Sequence, residues 1–543
     1  MAQHLIELLG LNLGLAVLSN VKNKLTVFFL KLPYLLYLII ILILVCFIFS
    51  YFLKDKPNVI VFDRFFFNSL KFTFIQAILS TLISIIIGFL IGICLYLSRI
   101  KIKLISVVLN FFFIAPVIFV SYGVIFIHGS NGLIQSFLNK VGINFSYSIF
   151  GFVGILYVTS YFNISLSANY FFRKLINIPE NYLKLLQANN VSFYQALKYY
   201  LRPIFQNNII VLCSIVLIFC ISNFTIIYIF ANSPFLSTLE LVIYQKISFE
   251  ANIYAAIVYG LIQAFIVILL LSPLLKISNN FQMLSLKKTE NYKIYKSNLL
   301  STSFLIIMSI YFFSPCLMIF KGLSSFNLDL LISYNAIKSF LSSLSVATIS
   351  LLLSLLISLS SLYFARKLFE DNSRFKKLML FSIFILCFVP AISLSSIIFM
   401  INIKLDFYFN NFWIVSIINS CLLIPIIFLF LLPKFMDNNI YEKSKILQFG
   451  INPLIRIFKI DLIKFKKDLI LISSACFVLS MGDLTSVTIF NSSEFKTVPF
   501  FISQLYSSYR YDDAFFIMSI YVIFIISLLY IVSLMVHRDA TLR

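Results

Sequence analysis

Phe224-Thr225-Ile226-Ile227-Tyr228-Ile229-Phe230 returns further along the chain as Leu484-Thr485-Ser486-Val487-Thr488-Ile489-Phe490, with Phe224, Thr225, Ile229 and Phe230 matched at a spacing of 260 residues. Downstream, Thr238, Gln245 and Ala255 find counterparts at Thr497, Gln504 and Ala514, now 259 residues apart. Upstream, Leu95-Tyr96 followed by Arg99 answers Leu362-Tyr363 followed by Arg366, and Pro116 answers Pro390. A single pair of this kind is cheap, but a series kept in order reports a duplicated architecture.

The duplicated unit is built for lipid. Of 543 residues 61% are hydrophobic and 11% charged, and mean hydropathy is +1.02, whereas about a quarter of the residues of a soluble protein are charged. A membrane-spanning helix needs about 20 mainly apolar residues. Twelve segments qualify, near 33–53, 68–97, 104–127, 148–172, 204–230, 252–275, 298–320, 336–365, 377–402, 411–433, 468–490 and 514–536. The expectation is an all-α membrane protein of about twelve transmembrane helices arranged as two six-helix repeats. An even number of spans between equivalent points makes the repeats parallel, related by an axis along the membrane normal. Residues 1–32 read as an interfacial or cytoplasmic segment, 33–275 and 298–543 as the two halves, and 276–297, polar and basic, as a cytoplasmic linker.

The net charge of +22 does not indicate nucleic acid, because the basic residues lie between apolar runs and are not gathered on one soluble face. With a cytoplasmic N-terminus, 31 of the 42 basic residues fall on the inside, which sets both termini in the cytoplasm by the positive-inside rule. The eight cysteines lie in apolar stretches with no C-x-x-C pair, and His4, His128 and His537 are scattered. Neither a metal site nor a disulfide framework is expected.

No G-x-x-x-x-G-K-[ST] phosphate loop occurs, and no inside loop is long enough for a nucleotide-binding domain. Energy, if used, arrives from another chain, and this chain is read as a transport subunit and not an enzyme. The longest inside loops, 173–203 and 434–467, lie at the same point of each repeat. In the first, Ile178-Pro179-Glu180 opens a helix and Asn189-Asn190 breaks it; in the second, Gly450 stands 260 residues after Asn190. Asn and Gly most readily take the left-handed conformation that ends a helix.

These loops resemble the coupling-helix signature of ABC importer permeases, E-A-A, three residues, G, then Pro thirteen residues on. The first copy is Lys184-Leu185-Leu186, Asn190 and Pro203, which keeps the spacing and the Pro but loses the acid, the alanines and the glycine. The second, Ser444-Lys445-Ile446 and Gly450, keeps the glycine and has Ile463 where Pro would stand. A longer run, Leu479-Ser480-Met481-Gly482-Asp483, then Phe495-Lys496-Thr497-Val498-Pro499-Phe500, Ser508-Tyr509-Arg510 and Asp512, resembles the thiamine permease family. Thr238-Leu239-Glu240-Leu241, Ile243-Tyr244-Gln245, Ser248-Phe249, Asn177-Ile178-Pro179 and Phe162-Asn163-Ile164 fit the same family.

The resemblance implies the fold of type I ABC importer permeases in the bacterial inner membrane. It also implies work with two copies of an ABC ATPase, which uses the ATP, and a periplasmic substrate-binding protein. The cargo it implies is thiamine or its phosphates; the sister iron(III) permeases are the nearest alternative. No cofactor is expected on this chain, and its remaining contacts are with lipid.

One acid falls inside a span. An ionised carboxylate near the bilayer centre costs about 2.5–3.5 kcal/mol on insertion scales, so Asp483 in the eleventh span stands out against Asn223, its neutral counterpart. Two readings stay open for it. It faces the interface between halves and offers a negative site to a cationic substrate, or it is a packing acid bonded to Ser480, Thr485 or a neighbouring helix. An ion-coupled secondary transporter of twelve spans is the different class, but would carry several such groups. Gly88 and Gly92, with Ser354 and Ser358 near the equivalent place, read as sites of close helix approach. Glu494, Lys496, Tyr509, Arg510, Asp512 and Asp513 fall in the outside loop before the last span, either to meet a binding protein or simply as a solvated loop.

Overall fold

The computed structural model describes residues 31–43, 45, 62–98, 102–143, 147–178, 180–276, 299–370, 383, 389–404, 410–436 and 460–541, and within them all regular structure is helical. The first half of the chain supplies α1 (Lys31–Ile43), α2 (Arg64–Leu97), α3 (Ile102–Ile114), α4 (Val117–His128) and α5 (Phe152–Ile176). It continues with α6 (Glu180–Ala188), α7 (Arg202–Ile221), α8 (Phe224–Phe230), α9 (Leu239–Ser248) and α10 (Ile253–Lys276). The second supplies α11 (Leu299–Phe313), α12 (Tyr334–Glu370), α13 (Ala391–Lys404) and α14 (Asn411–Met436). After it come α15 (Lys466–Met481), α16 (Thr485–Phe490), α17 (Val498–Ser507) and α18 (Tyr511–Thr541). Among the described residues eight helices are long and apolar enough to cross a membrane, nine when α7 and α8 count as one bent span. The chain is a multi-pass membrane protein.

The residues of α2 sort in a way only lipid explains. Ser69, Thr73, Gln76, Ser80, Ser84 and Gly88 are buried against other helices, while Ile75, Ile78, Leu82, Ile86 and Leu90 are exposed. Water would reverse this choice; in a bilayer the bulky aliphatics face the tails, and small residues let helix backbones approach. In α12 the pattern recurs 270 residues on: Ser339, Ser343, Ser350, Ser354 and Ser358 are buried and Leu352 and Leu356 exposed. The principal partner of α2 is α5 and that of α12 is α14. A Cβ on Gly88 would lie 3.2 Å from the Ile164 carbonyl oxygen, and Ser358 Oγ donates to the Ile424 carbonyl at 3.1 Å. Gly88 and Ser358 thus each stand against a backbone carbonyl of the principal partner helix.

Several spans expected to be continuous are broken, each for a local reason. Pro116, which has no N–H to continue the ladder, divides 104–127 into α3 and α4. The expected span 204–230 bends by 48° between α7 and α8. Lys466–Phe490 is interrupted at Gly482, Asp483 and Leu484. In 298–320 a short 3-10 turn at Ser314–Cys316, with Pro315, follows α11. Stretches left between spans in the sequence also prove helical: α9 and α17 are ten residues each, about 15 Å at 1.5 Å per residue and so too short to cross. Both are nevertheless buried, Leu239, Val242 and Ile243 in one and Val498 and Ile502 in the other.

The two halves interlock. Tyr34 in α1 receives its backbone N–H partner from α12, Ser360 Oγ at 3.2 Å, and stacks near Phe364. In the opposite sense, α11 lies on α5: Tyr161 Oη donates to the Phe312 carbonyl at 2.8 Å and Tyr311 Oη to the Tyr157 carbonyl at 2.9 Å. Helix α4 meets α17 and α18 through Tyr122–Tyr506 and Phe126–Phe515, with ring centroids 4.3 and 5.5 Å apart. Helix α13 meets α10 where a Cβ on Gly260 would lie 3.0 Å from Ser393 Cβ.

Candidate functional site

Two places were expected to carry function: the bent inside loops, and Asn223 and Asp483, which were expected inside continuous spans and stand instead at helix breaks. At the second break Asp483 Oδ1 accepts the Thr485 backbone N–H at 3.0 Å, and Oδ2 accepts the Ser486 hydroxyl. Asn419 on α14 approaches the end of α15, its amide donating to Ser480 Oγ at 3.2 Å and reaching toward the Ser480 carbonyl at 3.5 Å. Asp483 thus caps the re-entry of the chain into α16, where the first amides lack intrahelical acceptors. The packing reading of this acid has its partners, Thr485 among them. Ionised carboxylate oxygens have several lone-pair directions, so these bonds leave room for a further cation or donor.

The first break is built from other residues. Asn223 precedes α8 but makes no side-chain capping bond. Glu240, on α9, is buried in the neighbourhood of Phe224 and Gln263. Gln263 on α10 reaches the Ile221 carbonyl, at 3.5 Å. Asn163 on α5 donates to Cys220 Sγ at 3.3 Å, and Cys220 stands 260 residues before Ser480, the partner of Asn419. Glu240 is 2% exposed, whereas Asn223 and Asp483 are both partly exposed. Sequence reading assigned Glu240 no role. The available signal was a lone acid between Leu239 and Leu241, inside a short apolar helix.

The two breaks do not sit in isolation. Gly482 lies against Pro116, whose Cα is 3.6 Å from where a Gly482 Cβ would stand, so the second-half break touches the first-half hinge between α3 and α4. Helices α9 and α17 are both anchored by their first amide on a hydroxyl of the long helix of the same half. Leu239 N–H donates to Thr73 Oγ1 at 3.0 Å, and Val498 N–H to Ser343 Oγ at 2.7 Å.

Of the inside loops, the first is described. Helix α6 ends at Ala188, and Asn190 takes a φ of +50°, so the Val191 N–H returns to the Leu186 carbonyl at 3.0 Å. Ser192 and Gln195 then close a capping box that starts the next helical turn, which runs through a π-helical stretch into α7, where Pro203 is the second residue. Around this bend Leu185 is 61% and Tyr194 73% exposed, Lys184 is exposed, and Leu186 is buried. Ser444, Lys445, Ile446 and Gly450 lie outside the described residues.

No family model matches the chain. It is 28% identical over 466 residues to the thiamine transport system permease protein ThiP of Haemophilus influenzae, covering 83% of this chain and 85% of that protein. With the thiamine transport system permease proteins of Escherichia coli and Brucella abortus it shares 23% identity over 459 and 465 residues, again over 83% of this chain and 85% and 84% of theirs. Coverage of that extent takes in parts of both halves and at least one of the two breaks. The expected resemblance is borne out over most of the chain, which is similar to the thiamine transport permeases.

Proposed function

We propose that this chain is the membrane-spanning permease subunit of an ABC importer that carries thiamine or its phosphates. Similarity to thiamine transport permeases over 83% of the chain carries the reading. The chain supplies the pathway, ATP is hydrolysed on two copies of a separate ATPase, and a periplasmic binding protein delivers the cargo to the permease. It lies in the inner membrane with both termini cytoplasmic, as two like-oriented six-helix halves, 33–275 and 298–543, with 276–297 as the cytoplasmic linker and 1–32 ahead of the first half. The recurrence of the serine-rich face of α2 in α12, of paired breaks and of paired anchoring hydroxyls supports that duplication.

The coupling element of the first half is the bend around Lys184, Leu185, Leu186 and Asn190, up to Pro203. The exposed Leu185 and Tyr194 support this, because apolar groups at a membrane protein's inside loop await a protein partner. The second coupling element is the loop with Ser444, Lys445, Ile446 and Gly450. An importer of this kind works by state preference: ATP and loaded binding protein each bias the halves toward one arrangement, since a ligand with equal affinity for both shifts nothing.

Cargo passes the breaks at Asn223 and Asp483. The thiazolium of thiamine is a permanent cation, and Asp483 offers it a carboxylate held in place by Thr485 and Ser486. Purified with its ATPase and reconstituted with the binding protein, the chain is expected to give ATP-dependent uptake of radiolabelled thiamine. Uptake without ATP, or of ferric ion in place of thiamine, refutes the proposal. Asp483→Asn keeps an oxygen for the Thr485 amide, so the complex should assemble. Its thiamine uptake should fall on the order of tenfold, equivalent to about 1.4 kcal/mol, and wild-type uptake removes Asp483 from the pathway.

A further inference from the structure

We infer that Lys434 and Asp468 are the positioning pair for the second coupling element: their ion pair closes its neck and makes α14 and α15 one lever, which carries displacement of that element to the break holding Asp483. The inference rests on the reading of the second inside loop as a place where the ATPase acts, and of the break as part of the transport pathway.

The neck is located by the repeat. Lys174, in the last turn of α5, and Lys434, in the last turn of α14, stand 260 residues apart, the spacing that also relates Asn190 to Gly450. Each lies over the aromatic ring four residues before it, Lys174 Nζ 5.8 Å from the Tyr170 centroid and Lys434 Nζ 4.5 Å from that of Phe430. Both helices therefore deliver a lysine to the same point at the start of an inside loop. What stands at the return of the loop differs. Asp468, in the first turn of α15, forms an ion pair with Lys434, whereas the residue 260 positions earlier is Asn208, which carries no charge.

Beside the ion pair lies an aromatic contact. Phe435 and Phe465 meet with ring centroids 5.2 Å apart, and both are buried. The chain thus leaves α14 and enters α15 through a neck joined twice. The ion pair is shielded, with 25% of the Lys434 and 31% of the Asp468 side chain exposed, and charges so covered are screened less by salt than a surface pair. A displacement of the loop must then move the ends of both helices together.

The same two helices are tied again further along, where the Asn419 amide of α14 donates to Ser480 Oγ of α15 at 3.2 Å. At 1.5 Å per residue the two ties stand about 20 Å apart. Antiparallel helices joined at two such points neither slide nor splay without breaking one of them. Motion at the neck therefore arrives at Ser480, three residues before Asp483.

The test breaks the pair and remakes it with its charges exchanged. The full chain, co-purified with its ATPase, is reconstituted with thiamine-loaded binding protein as wild type, Asp468→Asn, Lys434→Met, and Lys434→Asp with Asp468→Lys. Uptake of radiolabelled thiamine and ATP hydrolysis are read per assembled complex. Each single change is expected to lower thiamine carried per ATP hydrolysed at least about fivefold, the lower end of coupling between separated sites, with hydrolysis in the absence of binding protein unchanged. The exchanged form should return the ratio to within about twofold of wild type.

A merely structural role would lower assembly without separating uptake from hydrolysis, and exchange of the charges would not recover a lost packing contact. If a single change prevents assembly, an exchanged form that assembles and transports at the wild-type ratio is the supporting result. The inference is overturned if Asp468→Asn carries thiamine at the wild-type ratio, or if the exchanged form fails to recover it. A wild-type complex that takes up no thiamine is instead a failure of the proposed function.

Discussion

Replacing Gly88 with alanine should destabilise the protein more than replacing Ser358 with alanine, although each stands against a backbone carbonyl of a neighbouring helix. A Cβ on Gly88 would stand 2.5 Å from Ser167 Cβ, 3.0 Å from the Ala168 nitrogen and 3.2 Å from the Ile164 oxygen. Carbon atoms in contact sit about 3.5–4.0 Å apart, so α2 and α5 would have to separate by about 1 Å or more. Two of the three obstacles are backbone and cannot rotate away. Overpacking of this kind costs about 1–3 kcal/mol. In Ser358→Ala the Cβ already has its space, and the loss is one hydroxyl bond to the Ile424 carbonyl, worth about 0.6 kcal/mol on average inside membrane proteins. Unfolding of the purified chain in mixed micelles by titration with dodecyl sulfate measures both. A Gly88→Ala protein within about 0.5 kcal/mol of wild type, or less affected than Ser358→Ala, would refute the packing argument.

Asn190, at φ +50°, should accept glycine without loss. Alanine there costs roughly 1–2 kcal/mol of left-handed strain and should lower the ATPase stimulation by loaded binding protein while leaving thermal unfolding of the bulk nearly unchanged. Thr73→Val and Ser343→Ala each remove the hydroxyl that receives the first amide of a short buried helix. Both should cost about 1 kcal/mol in the same micelle titration, and a large difference between them would mean that α9 and α17 are not held alike.

The membrane class and the multi-pass build were legible because burial in lipid is written in composition, and composition needs no contact to be read. Asp483 was legible as a residue that needs partners, since an acid in an apolar run has to be accounted for, but the break around it was not, because 468–490 is apolar enough to read as one span. Helix α9 was not legible either. It is ten residues long, which by length reads as a loop between spans, and its buried place is set by how the chain folds back to put the Leu239 amide on Thr73. The close helix approach at Gly88 was legible from residue size, but which residues it meets, Ile164 and Ser167 among them, is fixed only by how the helices pack. Asn190 lay between these cases: the residue type announced a helix end, and the left-handed φ and the return of Val191 N–H to Leu186 are its physical content.

The exchange of helices between the sequence halves limits how they can move. With α1 laid on α12 and α11 laid on α5, pulling the halves apart would strip tyrosine hydroxyls and backbone amides of partners inside the bilayer, where no water replaces them. Sliding is resisted as well, because small residues such as Gly88 and Gly260 hold their neighbours at contact distance. What can yield are the places where the helical ladder is already interrupted, namely Pro116, the bend between α7 and α8, and Gly482–Leu484. Gly482 touches Pro116, so two of these points flex against each other. The carboxylate of Asp483 then satisfies a freed amide at one of the points where bending is permitted. An acid that a bilayer makes expensive is kept where an interrupted helix would otherwise expose unpaired backbone to lipid.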